Sequence, residues 1–307
     1  MQKLDYSALV SRVSLSERLK ARSTNIAGST AFIVIIIVMA LMFAGRSWAV
    51  TLLWIVGMMA VVTVFGLGVY RRTGQIIRMR RFAEANKLIY RSDVGYDGRA
   101  GLVFNQGHSK KFLGILSSAQ EDTWEIGNYQ YTTGSGKHQS THDYGFVRIQ
   151  LPRRLPHMLL DAKENNWLGG RMSNLPADLD SGQRMSLEGD FDKYFTLYAP
   201  AQYKRDALYV FTPDVMQALI DSVHSYDCEV VDDSFYIYST SKLKIDSQYQ
   251  LEEVLGIIEK LKPELIDQTD YYADERIGDR ALNVVAKPGA RLKTRTSRIL
   301  IALFVIG

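Results

Sequence analysis

The chain of 307 residues contains a single cysteine, Cys228. One cysteine excludes an intrachain disulfide and any zinc site built mainly from cysteines. The sequence also lacks the Gly-x-Ser-x-Gly motif that presents the nucleophile of many hydrolases. The pair Gly136–Lys137 lacks both the preceding glycine and the following Ser or Thr of a phosphate-binding loop. These absences remove several common classes of enzyme.

Charge is missing from two long segments, residues 26–44 and 48–70. A helix rises about 1.5 Å per residue, so each segment is close to the ~20 residues that cross the hydrocarbon core of a bilayer. Residues 45–47, which include Arg46, are all that separates them. Segment 26–44 exceeds the ~7 to 15 apolar residues of a secretory signal peptide, and a second apolar segment follows it directly. The sequence therefore predicts a hairpin of two transmembrane helices.

Basic residues flank this hairpin on both sides. Residues 1–25 carry five Lys or Arg, and residues 71–92 carry seven. Such flanks are retained on the cytoplasmic side, so we expect the N-terminus and the main domain to be cytoplasmic, at the inner (plasma) membrane. A third apolar run at 298–307 is about half the length of a span. We expect it to be the start of a third transmembrane helix, which would make the protein multi-pass.

The main domain is acidic. Residues 1–25, Arg46, residues 71–92 and residues 287–298 together hold 18 of the 37 basic residues but only 3 of the 33 acidic ones. This leaves 19 basic and 30 acidic residues in 93–286, a formal charge of −11. Contacts to phosphate dominate affinity for nucleic acids, and a negative domain opposes them. We therefore expect no nucleic-acid partner.

The predicted fold class is α+β, with an antiparallel, strand-rich domain and at least two amphipathic helices. Segment 124–132 is expected to pair with 144–151. One helix should start at Pro213 behind an N-cap at Thr212, and another should start at Ser247 and end at Pro263. Further strands are expected at 111–118, 157–161, 185–189, 194–199, 207–211, 228–231 and 235–239, the last two forming a hairpin that turns on Asp232 and Asp233.

The domain organisation follows from these patterns. We expect a cytoplasmic segment, a transmembrane hairpin, a basic juxtamembrane helix, the α+β domain, a linker and the start of a third span. Their predicted ranges are 1–25, 26–70, 71–92, 93–270, 271–297 and 298–307.

Three stretches, 187–195, 198–200 and 206–216, together with the N-terminal hairpin, resemble a bacterial membrane-anchored family of unknown function. The resemblance implies two N-terminal transmembrane helices that anchor a cytoplasmic α+β domain. It implies no catalytic activity, so no site residue follows from it.

Basic residues after the second span predict binding to the membrane surface. Apolar residues recur at helical spacing through this region, which indicates either an interfacial helix or a stem that continues the span. A capping box at Ser14 and Glu17 predicts a second such helix near the N-terminus. The arginines expected to contact anionic lipid are Arg71, Arg72, Arg78, Arg80 and Arg81.

Two groups of residues are candidate metal ligands. His138 and His142 could bind one metal, with His157 or Asp161 completing the site, although a glycine-rich loop around them is the simpler interpretation. On a strand, the carboxylates of Glu188, Asp190 and Asp192 would share one face, where a cation or basic side chains would relieve their repulsion.

The leading hypothesis is a membrane-tethered interaction or assembly module without catalytic activity. It would contact the lipid bilayer and a protein partner or a second copy of itself, and we expect no cofactor. The alternative is a membrane-bound, metal-dependent hydrolase that uses the face of Glu188, Asp190 and Asp192.

Overall fold

The structure is a computed structural model that describes residues 4–22, 48–119, 123–166, 173–176, 178–187 and 189–294. The predicted first span at 26–44, Arg46 and the predicted third span at 298–307 lie outside these residues. The chain divides into two compact units. One extends from Lys3 to Asn86 and is called the N-terminal unit; the other begins at Lys87 and is called the sheet domain.

The N-terminal unit is helical. Its described elements are α1 (Ser7–Val10), α2 (Leu15–Arg22) and α3 (Trp48–Ala85). Helix α3 has 38 residues and is therefore about 57 Å long. Its stretch from Leu52 has a mean hydropathy of 2.4 in the most apolar window, none of it buried, so α3 is long and apolar enough to cross a membrane.

Helix α3 also shows which secondary structure the basic segment 71–92 adopts. The helix continues without a break from the apolar run through the arginines and ends at Ala85, before strand β1 begins at Leu88. The stem interpretation is therefore the right one, and the segment is not a separate helix extending to residue 92.

The predicted capping box is confirmed at the start of α2. The backbone N–H of Glu17 donates to Ser14 Oγ at 3.3 Å, and the Glu17 carboxylate accepts from the backbone N–H of Ser14 at 2.8 Å. Each residue thus satisfies an N–H group that the helix itself leaves without a partner.

The N-terminal segment runs antiparallel to the end of α3. The backbone N–H of Asp5 donates to Asn86 Oδ1 at 2.6 Å, and the Asn86 amide donates back to the Asp5 carbonyl at 2.9 Å. The rings of Tyr6 and Phe82 stack with centroids 5.4 Å apart. Further along, the Arg18 guanidinium lies 3.7 Å from the centre of the Tyr70 ring and donates to the Tyr70 carbonyl. Residues 5–18 therefore descend along α3 from its C-terminal end to Tyr70.

The sheet domain contains an eight-stranded antiparallel sheet in its described residues, which confirms the α+β class. The order β1-β3-β4-β5-β7-β6 forms its main path, while β2 pairs with β3 and β8 pairs with β5. The strands are β1 (Leu88–Arg91), β2 (Val94–Gly95), β3 (His108–Ser118), β4 (Trp124–Thr133), β5 (Ser140–Ala162), β6 (Arg184–Met185), β7 (Phe195–Tyr198) and β8 (Asp227–Ser239).

Strand β5 organises the sheet because its 23 residues pair along both edges. One edge pairs with β4 and then β7, and the other pairs with β8. The predicted pairing of 124–132 with 144–151 is confirmed, and the predicted strand 157–161 is the far end of β5.

The predicted hairpin at Asp232 and Asp233 is wrong. Strand β8 passes through both residues and pairs with β5 on either side of them. Asp232 has a positive φ of 54° and lies opposite Leu155, where the register shifts. The two aspartates therefore form an irregularity in a continuous strand, because aspartate tolerates the left-handed region better than most residues.

A cluster of buried aromatic side chains surrounds Phe104 in the core of the sheet domain. Phe104 is fully buried, and its ring lies 5.0 to 5.9 Å from five others. Those rings belong to Phe112, Tyr129, Phe146, Tyr236 and Tyr238. The loop that carries Phe104 requires glycine at Gly101, since φ is 147° and a Cβ would approach Phe104 and Tyr238 to 2.7 Å.

The remaining described helices are α4 (Phe191–Tyr194), α5 (Lys204–Val210), α6 (Pro213–Val223), α7 (Gln248–Thr269) and α8 (Lys287–Ala290). The predicted helix at Pro213 is confirmed, although neither Thr212 nor Ser247 makes a side-chain capping bond.

Two predictions about these helices are wrong. Segment 207–211 lies mostly in α5 and is not a strand, because Ala207 and Val210 are buried at helical spacing. Helix α7 does not end at Pro263: it continues to Thr269 and buries Leu265. The contacts made by that last turn offset the loss of the backbone hydrogen bond that proline cannot make.

The described part of the predicted linker 271–297 packs against the rest of the sheet domain. The Tyr203 hydroxyl donates to Asp274 Oδ2 at 2.6 Å, and Arg276 forms ion pairs with Asp274 and Asp206, both at 3.1 Å. Gly289 packs directly on the Tyr203 ring, where any side chain would collide. The sheet domain therefore includes residues well beyond 270.

We expect Phe104→Ala to lower the free energy of unfolding by about 3–5 kcal/mol, because it leaves a cavity among five rings. The measurement is denaturant unfolding of the purified, detergent-solubilised protein. Leu208→Ala is the matched control: Leu208 is 51% exposed, so its loss should change stability by at most about 0.5 kcal/mol. Equal effects of the two variants would contradict the packing described for Phe104.

Candidate functional site

The five arginines predicted to bind the membrane surface all lie on α3, within the 11 residues that follow Tyr70. Arg71, Arg72 and Arg80 are exposed. Arg81 is different, because it pairs with Glu17 and donates to Ser11 Oγ at 3.2 Å. Arg81 therefore holds the N-terminal segment against α3 and is not simply a cation offered to lipid.

The two candidate histidine ligands are not brought together with a third ligand. His138 ends an exposed turn, and His142 lies on β5 with its Nε2 2.9 Å from Thr133 Oγ1 and its ring stacked on Tyr131. His157 and Asp161 lie at the far end of β5. Within the described part of the chain, no group of three or more His, Cys, Asp or Glu side chains is placed to hold a metal.

The candidate carboxylates do not share a strand face. Asp190 and Asp192 belong to the one-turn helix α4 and its N-terminal boundary, and Glu188 lies outside the described residues. Asp190 pairs with Lys193 at 2.7 Å. Asp192 accepts hydrogen bonds from the Ser186 hydroxyl and from the Leu187 backbone N–H. The alternation on which the hydrolase hypothesis rests is therefore wrong for these two residues.

A buried polar network that the sequence did not suggest is centred on Glu229. This carboxylate is fully buried and accepts from the Leu102 backbone N–H at 2.8 and 2.9 Å and from the Tyr238 hydroxyl at 2.7 Å. His157 Nε2 lies 2.6 Å from it. Since His157 Nδ1 accepts from the Leu292 backbone N–H at 3.0 Å, Nε2 must carry the proton and donate to Glu229.

This Glu229 network is structural in character. It joins the loop before Phe104, strands β5 and β8, and the C-terminal segment at Leu292. A histidine and a glutamate at this distance could serve acid–base catalysis, but both ring nitrogens already have protein partners. Sequence patterns could not have found the pair, because the two residues are 72 positions apart.

Two further buried carboxylates, Asp161 and Asp227, lie on the neighbouring strands β5 and β8. Asp227 accepts from the Ala162 backbone N–H at 2.9 Å, and Asp161 accepts from the Asn166 amide at 3.0 Å. Burial raises the pKa of Asp227 to about 7; the Ala162 N–H opposes this rise and the nearby Asp161 adds to it. Burial likewise raises the pKa of Asp161.

A groove of about 340 Å³ opens beside a second charged network. Glu125, almost fully buried, accepts from Arg99 at 2.7 Å and from Arg91 at 3.0 Å, and Arg148 lies 3.8 Å away. Burial alone would lower the pKa of Arg99, but its bonds to Asp97 and Glu125 raise it above the ordinary value. Arg99, Arg148 and Arg154 line the groove together with Asp97, Asp232 and Asp233.

The charges of this groove balance, and most are already paired. Asp97 pairs with Arg99, and Asp232 pairs with Arg291 at 2.9 Å. A balanced groove does not favour an anion over a cation.

No protein-family model matches the chain, no curated protein matches its sequence, and no solved structure matches its fold. The resemblance to a bacterial membrane-anchored family therefore stays a prediction.

We expect Asp227 to make stability depend on pH. Its pKa rises from 3.8 to about 7 on folding, so the folded state binds the extra proton and stability falls as pH rises between these values. At about 1.4 kcal/mol per pKa unit, the loss is on the order of 4 kcal/mol. Asp227→Asn keeps an acceptor for the Ala162 N–H but cannot ionise, so this fall should disappear.

The measurement is chemical unfolding of the wild type and the Asp227→Asn variant at about pH 4.5 and about pH 7.5. Most of the pH range over which Asp227 affects stability lies between these values. The variant should gain stability relative to wild type at the higher pH. Parallel pH profiles for the two proteins would contradict the assignment.

Proposed function

We propose that the protein is a membrane-tethered interaction or assembly module, whose sheet domain is held on the same side of the bilayer as the N-terminus. The observation that carries the proposal is the antiparallel contact of residues 5–18 with the end of α3. The proposal includes two features beyond a single apolar helix: a second crossing and a cytoplasmic domain.

The second crossing is supported by where the described segments end. Helix α2 approaches α3 at Tyr70, where the charge-free run stops, whereas α3 begins at Trp48. Trp48 and Tyr70 are about 33 Å apart along the helix, which matches the hydrocarbon thickness. If α3 crosses the bilayer, the chain between Arg22 and Trp48 has to cross it in the opposite direction.

The register of the contacts supports the same reversal. The pairs Asp5–Asn86, Tyr6–Phe82 and Arg18–Tyr70 have residue numbers that add to roughly 90, as expected for two antiparallel segments with equal rise. If two antiparallel segments continued to pair so that their residue numbers add to about 90, they would meet near residue 45, between the two charge-free segments. The sequence places the three-residue tip of the hairpin there.

The orientation follows from charge. Lys and Arg close to a span are retained in the cytoplasm, and both ends of the hairpin have such flanks. The anionic inner leaflet attracts these flanks and repels the acidic sheet domain, so that the surface of the domain faces a cytosolic or neighbouring-subunit partner.

Exposed aromatic and aliphatic side chains supply a surface for that partner. Leu208, Tyr209 and Tyr271 are 51%, 41% and 86% exposed. They lie close together, because Gln268 of α7 donates to the Tyr209 carbonyl and Tyr209 contacts Tyr272. Tyrosine is favoured at the centres of protein interfaces, where a few large side chains contribute most of the affinity.

The topology is tested by single cysteines and a membrane-impermeant maleimide applied to intact spheroplasts. Val10→Cys and Tyr249→Cys should stay unlabelled until the membrane is opened, whereas Arg46→Cys should label at once. Both described positions are more than 75% exposed, and Cys228 is buried, so the wild-type protein is the blank. Labelling of position 10 and position 249 from opposite sides would refute the proposal.

The partner is tested by native purification from membranes. We expect a co-purifying protein or a second copy of the chain, and we expect Tyr271→Ala to weaken that association at least about tenfold if Tyr271 is a central contact. Tyr249→Ala is the control, since Tyr249 is 78% exposed at the opposite end of the 22-residue helix α7. Monomeric protein with nothing bound would count against an interaction module.

A further inference from the structure

We infer that the outward face of α2, formed by Leu15 and Leu19, lies in the headgroup layer of the bilayer and contacts anionic phospholipid. The inference rests on the proposed function, in which α3 anchors the protein in the membrane. It adds a lipid contact of α2, which membrane anchoring by α3 does not by itself require.

The polarity of α2 is the first reason. Glu17 and Arg18 turn toward α3, where Glu17 pairs with Arg81 and Arg18 contacts Tyr70, while Lys20 is exposed. The two leucines of α2, one turn apart, turn outward and are 64% and 61% exposed. A helix in water normally packs its apolar residues against the protein, whereas exposed leucines beside a lysine are typical of a helix at a membrane interface. The outward face of α2 is therefore suited to a medium less polar than water.

The depth of α2 is the second reason. The Arg18 guanidinium lies 3.7 Å from the centre of the Tyr70 ring, and Tyr70 closes the charge-free run of α3. Tyrosine at the end of a span sits at headgroup level, in a layer about 5–7 Å thick on each side of the hydrocarbon. The contact with Tyr70 places the C-terminal half of α2, including Leu19, at or next to this layer.

Charge identifies the occupant as lipid. Arg12, Arg71 and Arg72 are exposed around the contact between α2 and α3. A positively charged surface repels the same surface on a second copy of the chain. It is therefore unsuited to a symmetric dimer contact, in which identical surfaces face each other. It attracts the anionic headgroups of the inner leaflet, while the leucines reach the upper part of the acyl chains.

The test uses the full-length protein in nanodiscs of phosphatidylcholine and phosphatidylglycerol. A polarity-sensitive fluorophore is attached at Leu15→Cys, Leu19→Cys or Leu208→Cys, with wild type as the blank because Cys228 is buried. Phospholipids with a nitroxide high on the acyl chain should quench labels 15 and 19 at least about twofold more than label 208. Quenching should fall when phosphatidylglycerol is omitted.

A label at Val64→Cys, which is 71% exposed on α3, reports the span itself through nitroxides deep in the acyl chain. If label 64 is quenched but labels 15 and 19 behave like label 208, the lipid contact is refuted while the tether stands. Cross-linking of position 19 to a second copy or another protein would also refute it. If label 64 is not quenched, the tether itself fails.

Discussion

The contact between Arg18 and Tyr70 determines how the rest of the N-terminal unit can be arranged. Arg18 belongs to a short helix whose start is fixed by the capping box of Ser14 and Glu17. Tyr70 marks the end of the apolar run of α3. Joining the two aligns α2 with the end of the apolar run of α3, and the ion pair of Glu17 with Arg81 supports the same alignment. The second crossing, the depth of α2 and the orientation that we propose all rest on this alignment.

The sheet domain obeys a different constraint, the packing of a large cluster of buried aromatic side chains. Phe104 lies at the centre of this cluster, and both oxygens of the Glu229 carboxylate accept from the Leu102 N–H in the loop that carries Phe104. Through His157 the same carboxylate reaches the C-terminal segment at Leu292. A buried carboxylate is stable only when its partners are complete, so the network specifies one arrangement of these segments.

Local signals in the sequence predicted the features that depend on neighbouring residues. Four features depend on residues that are close together in the sequence. They are the long apolar helix, the capping box at Ser14, the helix at Pro213 and the pairing of β4 with β5. The failures depend on distant partners. Pro263 does not end α7 because Leu265 has a buried position to fill, and 207–211 is helical because Ala207 and Val210 meet the core at helical spacing. Neither the Glu229–His157 pair nor the Tyr203–Asp274 bond is indicated by the local sequence. The metal hypothesis for Glu188, Asp190 and Asp192 assumed a strand at Asp190, where a helical turn forms.

The central claim is that the N-terminal segment folds back along α3, and an intramolecular distance in a lipid bilayer tests it most directly. Spin labels at Ser7→Cys and Glu84→Cys, in the full-length protein in nanodiscs, should lie within about 20 Å of each other, the width of two packed helices. Labels on opposite sides of the membrane would be separated by more than about 30 Å of hydrocarbon. A distribution centred at the short distance supports the account, and one centred beyond the hydrocarbon thickness contradicts it.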